Sequence, residues 1–286
     1  MPTGCCEQQR GAGGESRTVE PGQALAVRPL YAWFDRYVAR FVGPDGELEP
    51  MLRLKQQHSL RVTEKARQIA DRLDWSPWLR FQATAAALFH DLGRFPQFRD
   101  FRTFQDAASV NHGDNGAAEI EARTDELNAM RVDVPSVADA VRFHNRPALQ
   151  KGLPTDTERL LRLVRDADKL DILEVVYDGA TRPDSLYTEL ASWVDMTGPV
   201  SQNVVDSARC REPICYADLS SLADIVIMEL HWVYDLNYGP SFALLRESGV
   251  FERLRSLIPA EPPEVTRLLD QARDQLENGK RSRNEP

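Results

Sequence analysis

The chain has 286 residues, of which 42% are hydrophobic and 28% are charged, a composition typical of a globular protein with a substantial core. Its 44 acidic residues outnumber its 35 lysines and arginines, which gives a formal net charge of −9 at pH 7. This balance argues against a broad basic face for nucleic acid, because phosphate neutralisation requires clustered Lys and Arg. It is compatible with a small anionic substrate held in a locally basic pocket.

Neither a membrane span nor a secretory signal is predicted. No apolar run approaches the length that crosses a bilayer, and the polar, Gly-rich stretch 1–23 lacks the apolar region of a signal peptide. The spacing of Cys210 and Cys215 fits neither a zinc knuckle nor a redox pair, and Cys5 and Cys6 lie in the leader. We therefore expect a cytoplasmic protein with reduced thiols and no membrane partner.

Helical periodicity dominates the chain between an expected flexible leader, 1–27, and an expected flexible tail, 278–286. Proline and glycine separate the predicted helices, which lie at 29–43, 51–74, 77–92, 115–129, 135–145, 157–177, 219–237, 241–257 and 262–277. The only plausible β segment is 200–217. We therefore predict an all-α fold.

Two parts are expected between the leader and the tail. A helical core, 28–178, precedes a lid segment and a C-terminal helical cap, together 179–277. The irregular stretch 178–218 is the candidate lid, because long connections without regular structure are often functional.

Three histidines fall on the inward faces of three different predicted helices. His58 lies four residues before Val62 on an apolar stripe, His144 continues the stripe of Val141, and His90 closes an alanine-rich run. A single inward histidine is usually a hydrogen-bonded core residue. Several converging imidazoles each lose solvation on burial, and a shared metal ion compensates all of them at once.

The sixth predicted helix supplies an acidic candidate. Asp168 falls between Val164 and Ile172 on the inward stripe, whereas Asp166 groups with Arg162 and is expected to form an ion pair on the solvated face. A carboxylate that faces the core needs a cation. Periodicity therefore selects Asp168 as the candidate ligand.

The sequence "AAALFHDLGR" ends an apolar helix with a histidine and an aspartate side by side. Gly93 is a natural residue to follow a helix end, which would place His90 and Asp91 in the last turn. A cation just beyond that turn is within reach of both side chains and is favoured by the negative end of the helix dipole. An adjacent His-Asp pair also suits a site of two metals that the carboxylate bridges.

Together these residues resemble the HD-domain metal-dependent phosphohydrolases over about 50–178. The resemblance rests on an early helical histidine, the His-Asp doublet, two later histidines in "VNHGDNGA" and "VRFHNR", and the aspartate of "ADKLD". It implies a first metal held by His58, His90, Asp91 and Asp168, and a second held by Asp91, His112 and His144. It also implies that 28–178 is an HD-domain metal-binding core. His and carboxylate ligands suit Mn²⁺, Fe²⁺, Co²⁺, Ni²⁺ or Zn²⁺, and two divalent ions are expected.

The family's chemistry implies that a metal-bound water attacks a phosphoester or phosphoanhydride of a small nucleotide-like substrate. Asp91 and Arg94 are the candidate catalytic residues, and Arg94, Arg146 and Lys169 are the candidate phosphate contacts; for Arg146 and Lys169 the alternative is a surface charge. The Gly-Tyr-Pro motif and the paired histidines of the cyclic di-GMP enzymes are absent, which argues against that activity. Two other functions stay open: a di-iron oxygenase that uses the same ligand set, and a nucleotide-sensing regulatory protein.

Overall fold

A computed structural model of the chain describes residues 25–182, 194–258 and 262–279. Within these ranges the regular structure is helical, apart from a single β-bridge between Asp195 and Ser221, so the predicted all-α fold is confirmed. No helix in the described ranges is long and apolar enough to cross a membrane. The predicted leader lies almost wholly outside the described residues, as do 280–286 of the predicted tail.

Eight α-helices lie in the described residues 25–182. They are α1 (Arg28–Ala39), α2 (Pro50–Arg72), α3 (Pro77–Phe89), α4 (Arg94–Phe101), α5 (His112–Glu121), α6 (Thr124–Ala129), α7 (Val134–Phe143) and α8 (Thr155–Thr181). The long helix α8 packs against α2, α3 and α7, and α5 packs against α7. The core of this part therefore lies between α2, α3, α7 and α8.

The described helices that follow α8 form the C-terminal cap. They are α9 (Gln202–Cys210), α10 (Leu222–His231), α11 (Gly239–Ser248), α12 (Val250–Arg255) and α13 (Pro263–Asn278), with short 3₁₀ turns at Tyr216–Asp218 and Trp232–Tyr234. Both α11 and α12 pack against α8, so α8 lies between the core and the cap.

Asp166 anchors the cap to α8. Its fully buried carboxylate accepts the backbone N–H groups of Asn237 and Tyr238 and the hydroxyl of Ser241. Hydrogen bonds to a charged group are among the stronger ones in proteins, so this contact fixes the segment after α10 against the core.

The predicted surface ion pair between Asp166 and Arg162 is wrong. Arg162 pairs with Glu158, one turn earlier on α8. Helical phase identified the face of α8 that meets the core, but it carries no information on a second layer packed against the opposite face. The cap covers that face and buries Asp166.

Several predicted boundaries also change. The predicted helix 115–129 is two helices, α5 and α6, and 241–257 is broken by Gly249, whose φ of +66° suits glycine. The predicted β segment 200–217 contains α9 instead. α8 runs four residues beyond its predicted end, and 183–193 of the candidate lid lie outside the described residues.

Candidate metal centre

The six predicted metal ligands converge on one buried region. They are placed by five different stretches of chain: His58 in α2, His90 and Asp91 in the turn after α3, His112 as the first residue of α5, His144 directly after α7, and Asp168 in α8. Three overlapping triads each bring one potential ligand atom per residue within 4.8 Å of the others: His58, His90 and Asp91; His90, His144 and Asp168; Asp91, His112 and His144. All are buried except Asp168, whose side chain is 19% exposed.

The four imidazoles form two pairs. The Nε2 atoms of His58 and His90 lie 3.2 Å apart, and those of His112 and His144 also lie 3.2 Å apart. The rings of His90 and His144 meet edge to face with centroids 5.3 Å apart, which joins the two pairs into one cluster.

Each imidazole turns its Nδ1 atom away from the cluster toward an acceptor. These acceptors are Asp171 for His58 (2.7 Å), the Ala87 carbonyl for His90 (2.7 Å), Asp106 for His112 (2.7 Å) and the Val141 carbonyl for His144 (2.6 Å). A ring that donates from Nδ1 presents the lone pair of Nε2 to the centre, which is the arrangement of metal-binding histidines. Two Nε2 lone pairs that face each other at 3.2 Å repel unless a proton or a metal ion lies between them.

Asp91 lies between the two histidine pairs. Its Oδ2 atom is 3.7 Å from Nε2 of both His58 and His90, whereas its Oδ1 atom is 3.6 Å from Nε2 of His112. Lys55 donates to Oδ2 at 2.9 Å. The two oxygens of one carboxylate thus face different imidazole pairs, which is the position of a bridging ligand.

Asp168 closes the first half of the cluster. Its Oδ1 atom lies 3.1 Å from Nε2 of His58 and 3.7 Å from Nε2 of His90, but it is buried and has no hydrogen-bond partner of good geometry. A buried carboxylate oxygen without a donor is costly. A divalent cation at this point would satisfy it, so the residues present fit a metal.

The charges of the cluster suit metal binding as well. Burial lowers the pKa of His90, of His112 to about 4 and of His144 to about 3, so these rings are neutral at physiological pH. Burial opposes ionisation of Asp91, but Lys55 and its other cationic neighbours outweigh it and hold the pKa of Asp91 well below its usual value. Neutral imidazoles and ionised carboxylates are the protonation states that bind divalent ions.

His58 differs from the other three histidines. Burial and the charge of Lys55 lower the pKa of His58, but the nearby carboxylate of Asp168 and the hydrogen bond to Asp171 outweigh them and raise it. Without a cation, His58 therefore tends to hold a proton between two carboxylates. A metal ion would displace that proton, as metal binding commonly does.

The turn that carries the doublet depends on Gly93 for a different reason from the one predicted. Its φ is −65°, not left-handed, and it directly precedes α4. A Cβ at this position would lie 2.1 Å from the carbonyl oxygen of His112 and 2.6 Å from the backbone N of Gly116. Glycine is needed because the turn touches the first turn of α5, and this contact brings His112 next to Asp91.

The start of α5 fixes His112 in place. The side chain of Asn111 accepts the N–H of Asp114 at 3.0 Å and caps the helix, so that the helix begins at His112. Asp114 also forms an ion pair with Arg146 at 2.7 Å.

Three residues of the cluster's surroundings were not predicted. Asp106 accepts from His112, Asn145 and Arg94, and Asp171 accepts from His58 and Arg61. Lys55 lies three residues before His58 in α2, and Asp171 lies three residues after Asp168 in α8. Helical spacing alone therefore places both residues beside the site. Asp106 lies in a short 3₁₀ turn, where no periodic signal exists.

The three predicted phosphate contacts, Arg94, Arg146 and Lys169, differ in how close they lie to the cluster. Arg94 lies closest, with Nε 3.5 Å from Oδ1 of Asp91, and it also ties Asp106 and the Phe104 carbonyl together. Lys169 is largely buried and pairs with Asp235 at 2.8 Å, so the alternative of a surface charge is wrong for it. Lys169 pairs with Asp235 and Arg146 with Asp114, not with the six clustered residues, and their substrate roles stay predictions.

The described helices enclose a cluster of four histidines and two aspartates that could hold divalent metal ions. Residues 56–173 match the HD domain family, which confirms the expected resemblance over that part of the chain. No curated protein and no solved structure matches the chain.

Proposed function

We propose that this chain is a metal-dependent phosphohydrolase that cleaves a phosphoester or phosphoanhydride of a nucleotide-like substrate. The observation that carries the proposal is the position of the Asp91 carboxylate, whose two oxygens face separate histidine pairs. Two bound divalent ions would supply a hydroxide nucleophile at neutral pH and neutralise charge on the phosphoryl oxygens. The HD domain at 56–173 supports metal-dependent hydrolysis of this kind.

In this proposal the residues divide into two ligand sets that share one carboxylate. His58, His90, Asp91 and Asp168 would hold one ion, and Asp91, His112 and His144 would hold the other. The acceptors behind the rings keep the Nε2 lone pairs aimed at the ions.

Two cations are placed to receive phosphate oxygens. Lys55 lies 2.9 Å from Asp91, with its side chain 17% exposed and its ammonium 5.5 Å from the centroid of Phe104. Arg94 approaches the same carboxylate from the other oxygen. We infer that an incoming phosphate competes for both cations, which hold its charge while the bond to the leaving oxygen breaks.

The test is hydrolysis by protein purified without chelator. Metal-free protein is reloaded with each candidate ion in turn and offered mononucleotides, cyclic dinucleotides and dinucleoside polyphosphates. Turnover should require metal and should be lost in His90→Ala and Asp91→Ala, together with bound metal, while the helical circular dichroism spectrum persists. His231→Ala is the matched control, because it removes the one histidine outside the cluster and should leave both metal and turnover intact.

The oxygenase alternative predicts a different result. Ferrous protein would then consume oxygen in the presence of an organic substrate and would hydrolyse none of the phosphates. The two basic side chains beside Asp91 favour phosphate chemistry instead.

A further inference from the structure

Arg165 is a buried guanidinium that lies between the metal centre and the C-terminal cap. It lies in α8, three residues before Asp168, and is 3% exposed. Its Nη1 atom donates to the backbone carbonyl of His144 at 3.0 Å and to that of Arg146. Its Nη2 atom donates to Oδ2 of Asp235 at 2.6 Å. One side chain therefore connects the segment that carries a predicted metal ligand to the cap.

The contact with Arg165 fixes the end of the helix that leads to His144. A helix leaves the carbonyls of its last turn without partners of its own, and a cation at that end is favoured by the helix dipole. His144 directly follows α7, and its Nδ1 atom lies 2.6 Å from the carbonyl of Val141 in the same helix. Val141 thus fixes the ring relative to α7, and Arg165 fixes the end of α7 relative to α8.

Asp235 is the counter-ion of this buried guanidinium. A buried charge is costly unless it is paired and its other donors are satisfied. Oδ2 of Asp235 lies 2.6 Å from Nη2 of Arg165 and 2.8 Å from Nζ of Lys169, and these two cations are four residues apart on α8. Asp235 directly follows the 3₁₀ turn Trp232–Tyr234 of the cap. The cap therefore supplies the negative charge that keeps Arg165 against the end of α7.

We propose that Asp235 is a positioning residue of the metal centre: through Arg165 it holds His144 in place for the ion that Asp91 and His112 share. The inference rests on the two-ion centre of the proposed function, and it makes the cap a required part of that centre. Asp166 already holds the cap against α8 through a separate set of hydrogen bonds. Loss of the Asp235 charge should therefore loosen one ion while the cap stays packed.

The test is a titration of the metal-free full-length chain with Mn²⁺, in which electron paramagnetic resonance measures the free ion. The wild type should bind two ions. Asp235→Asn keeps the shape of the side chain but removes its charge, and it should weaken one binding event by about tenfold or more, as loss of a partner behind a ligand does, and leave the other unchanged. His112→Ala, which removes a ligand of one ion only, shows which event belongs to that ion, and the same event should be the weakened one.

Three further variants separate the contact from its surroundings. Asp235→Glu keeps the charge and should recover most of the lost affinity. Arg165→Lys keeps the charge of the cation but cannot bond all three acceptors, so it should weaken the same event. The double variant should bind little worse than either single one, because both changes break one contact. Asp139→Asn is the matched control: it breaks an exposed ion pair with Arg142 on α7 and should bind both ions like the wild type.

Urea denaturation and circular dichroism separate positioning from a purely structural role. Asp235→Asn with reduced stability but two unchanged binding events would overturn the inference. Equal weakening of both events, or loss of the helical spectrum, would also overturn it, because either result would indicate a general disturbance. A wild type that binds fewer than two ions would refute the two-ion centre and this inference with it. A wild type that binds two ions but hydrolyses no phosphate ester would refute the proposed function alone.

Discussion

Replacing Asp171 by Asn tests whether the residues behind the histidines support metal binding. Asp171 is 1% exposed, and its carboxylate accepts Nδ1 of His58 at 2.7 Å and the guanidinium of Arg61 at 2.7 and 3.0 Å. Asn keeps one acceptor oxygen but turns an amide NH₂ toward one of these donors. Hydrogen bonds to charged groups contribute roughly 1.5–3 kcal/mol each, so we expect the free energy of unfolding to fall by about 2–3 kcal/mol.

The same substitution should weaken metal binding specifically. One amide oxygen cannot serve both His58 and Arg61 as the carboxylate does, so the ring of His58 is held less firmly; mutation of such a partner typically lowers metal affinity by about 10–100-fold. Competition with a chelating dye measures the affinity, and urea denaturation measures the stability. Asp178→Asn is the control, because Asp178 lies on the same helix but its side chain is 48% exposed. Metal affinity equal to that of the wild type in Asp171→Asn would refute the reasoning.

Three further predictions concern the glycine turn, the buried acid and the lysine. Gly93→Ala should cost about 1–3 kcal/mol of unfolding free energy and reduce metal content, because its Cβ would strike the carbonyl of His112 at 2.1 Å; Gly239→Ala, with nothing within 4 Å, should match the wild type in thermal melts. The folded-state pKa of Glu229 exceeds its unfolded value of 4.5, so stability should fall by about 1.4 kcal/mol per pH unit above that value until the folded pKa is reached. Glu229→Gln should abolish this fall, which urea denaturation from pH 5 to 8 measures. The same pH dependence in the variant as in the wild type would contradict the prediction. Lys55→Met should raise KM for phosphorylated substrates about tenfold with metal content retained; loss of metal instead would assign Lys55 a structural role.

Helical phase predicted three of the ligands, whereas His112 was implied only by the family resemblance. His58 and His144 continue apolar stripes, and Asp168 lies between two inward residues, so a period of 3.6 residues is enough to place all three on one side of their helices. The convergence of the separate helices on one centre is a tertiary property. It was inferred from the cost of burying several imidazoles, not from any one helix.

The errors share a physical cause, which is contact between elements that are distant in the sequence. Asp166 is buried by the segment around Asn237, more than 70 residues away, and the pattern within α8 contains no trace of it. Gly93 is required by the backbone of α5 and not by its own φ angle. Asp106 is positioned by a turn without periodicity, so its contact with His112 follows only from the folded chain.

Metal content per chain tests the central claim most directly. Protein freed of metal, reloaded with Mn²⁺ and passed through a desalting column is analysed by inductively coupled plasma mass spectrometry. We predict two ions per wild-type chain, one in His112→Ala, which loses a ligand of one site only, and none in Asp91→Ala, which loses the group common to both. Two ions retained in Asp91→Ala would contradict a centre bridged by this carboxylate.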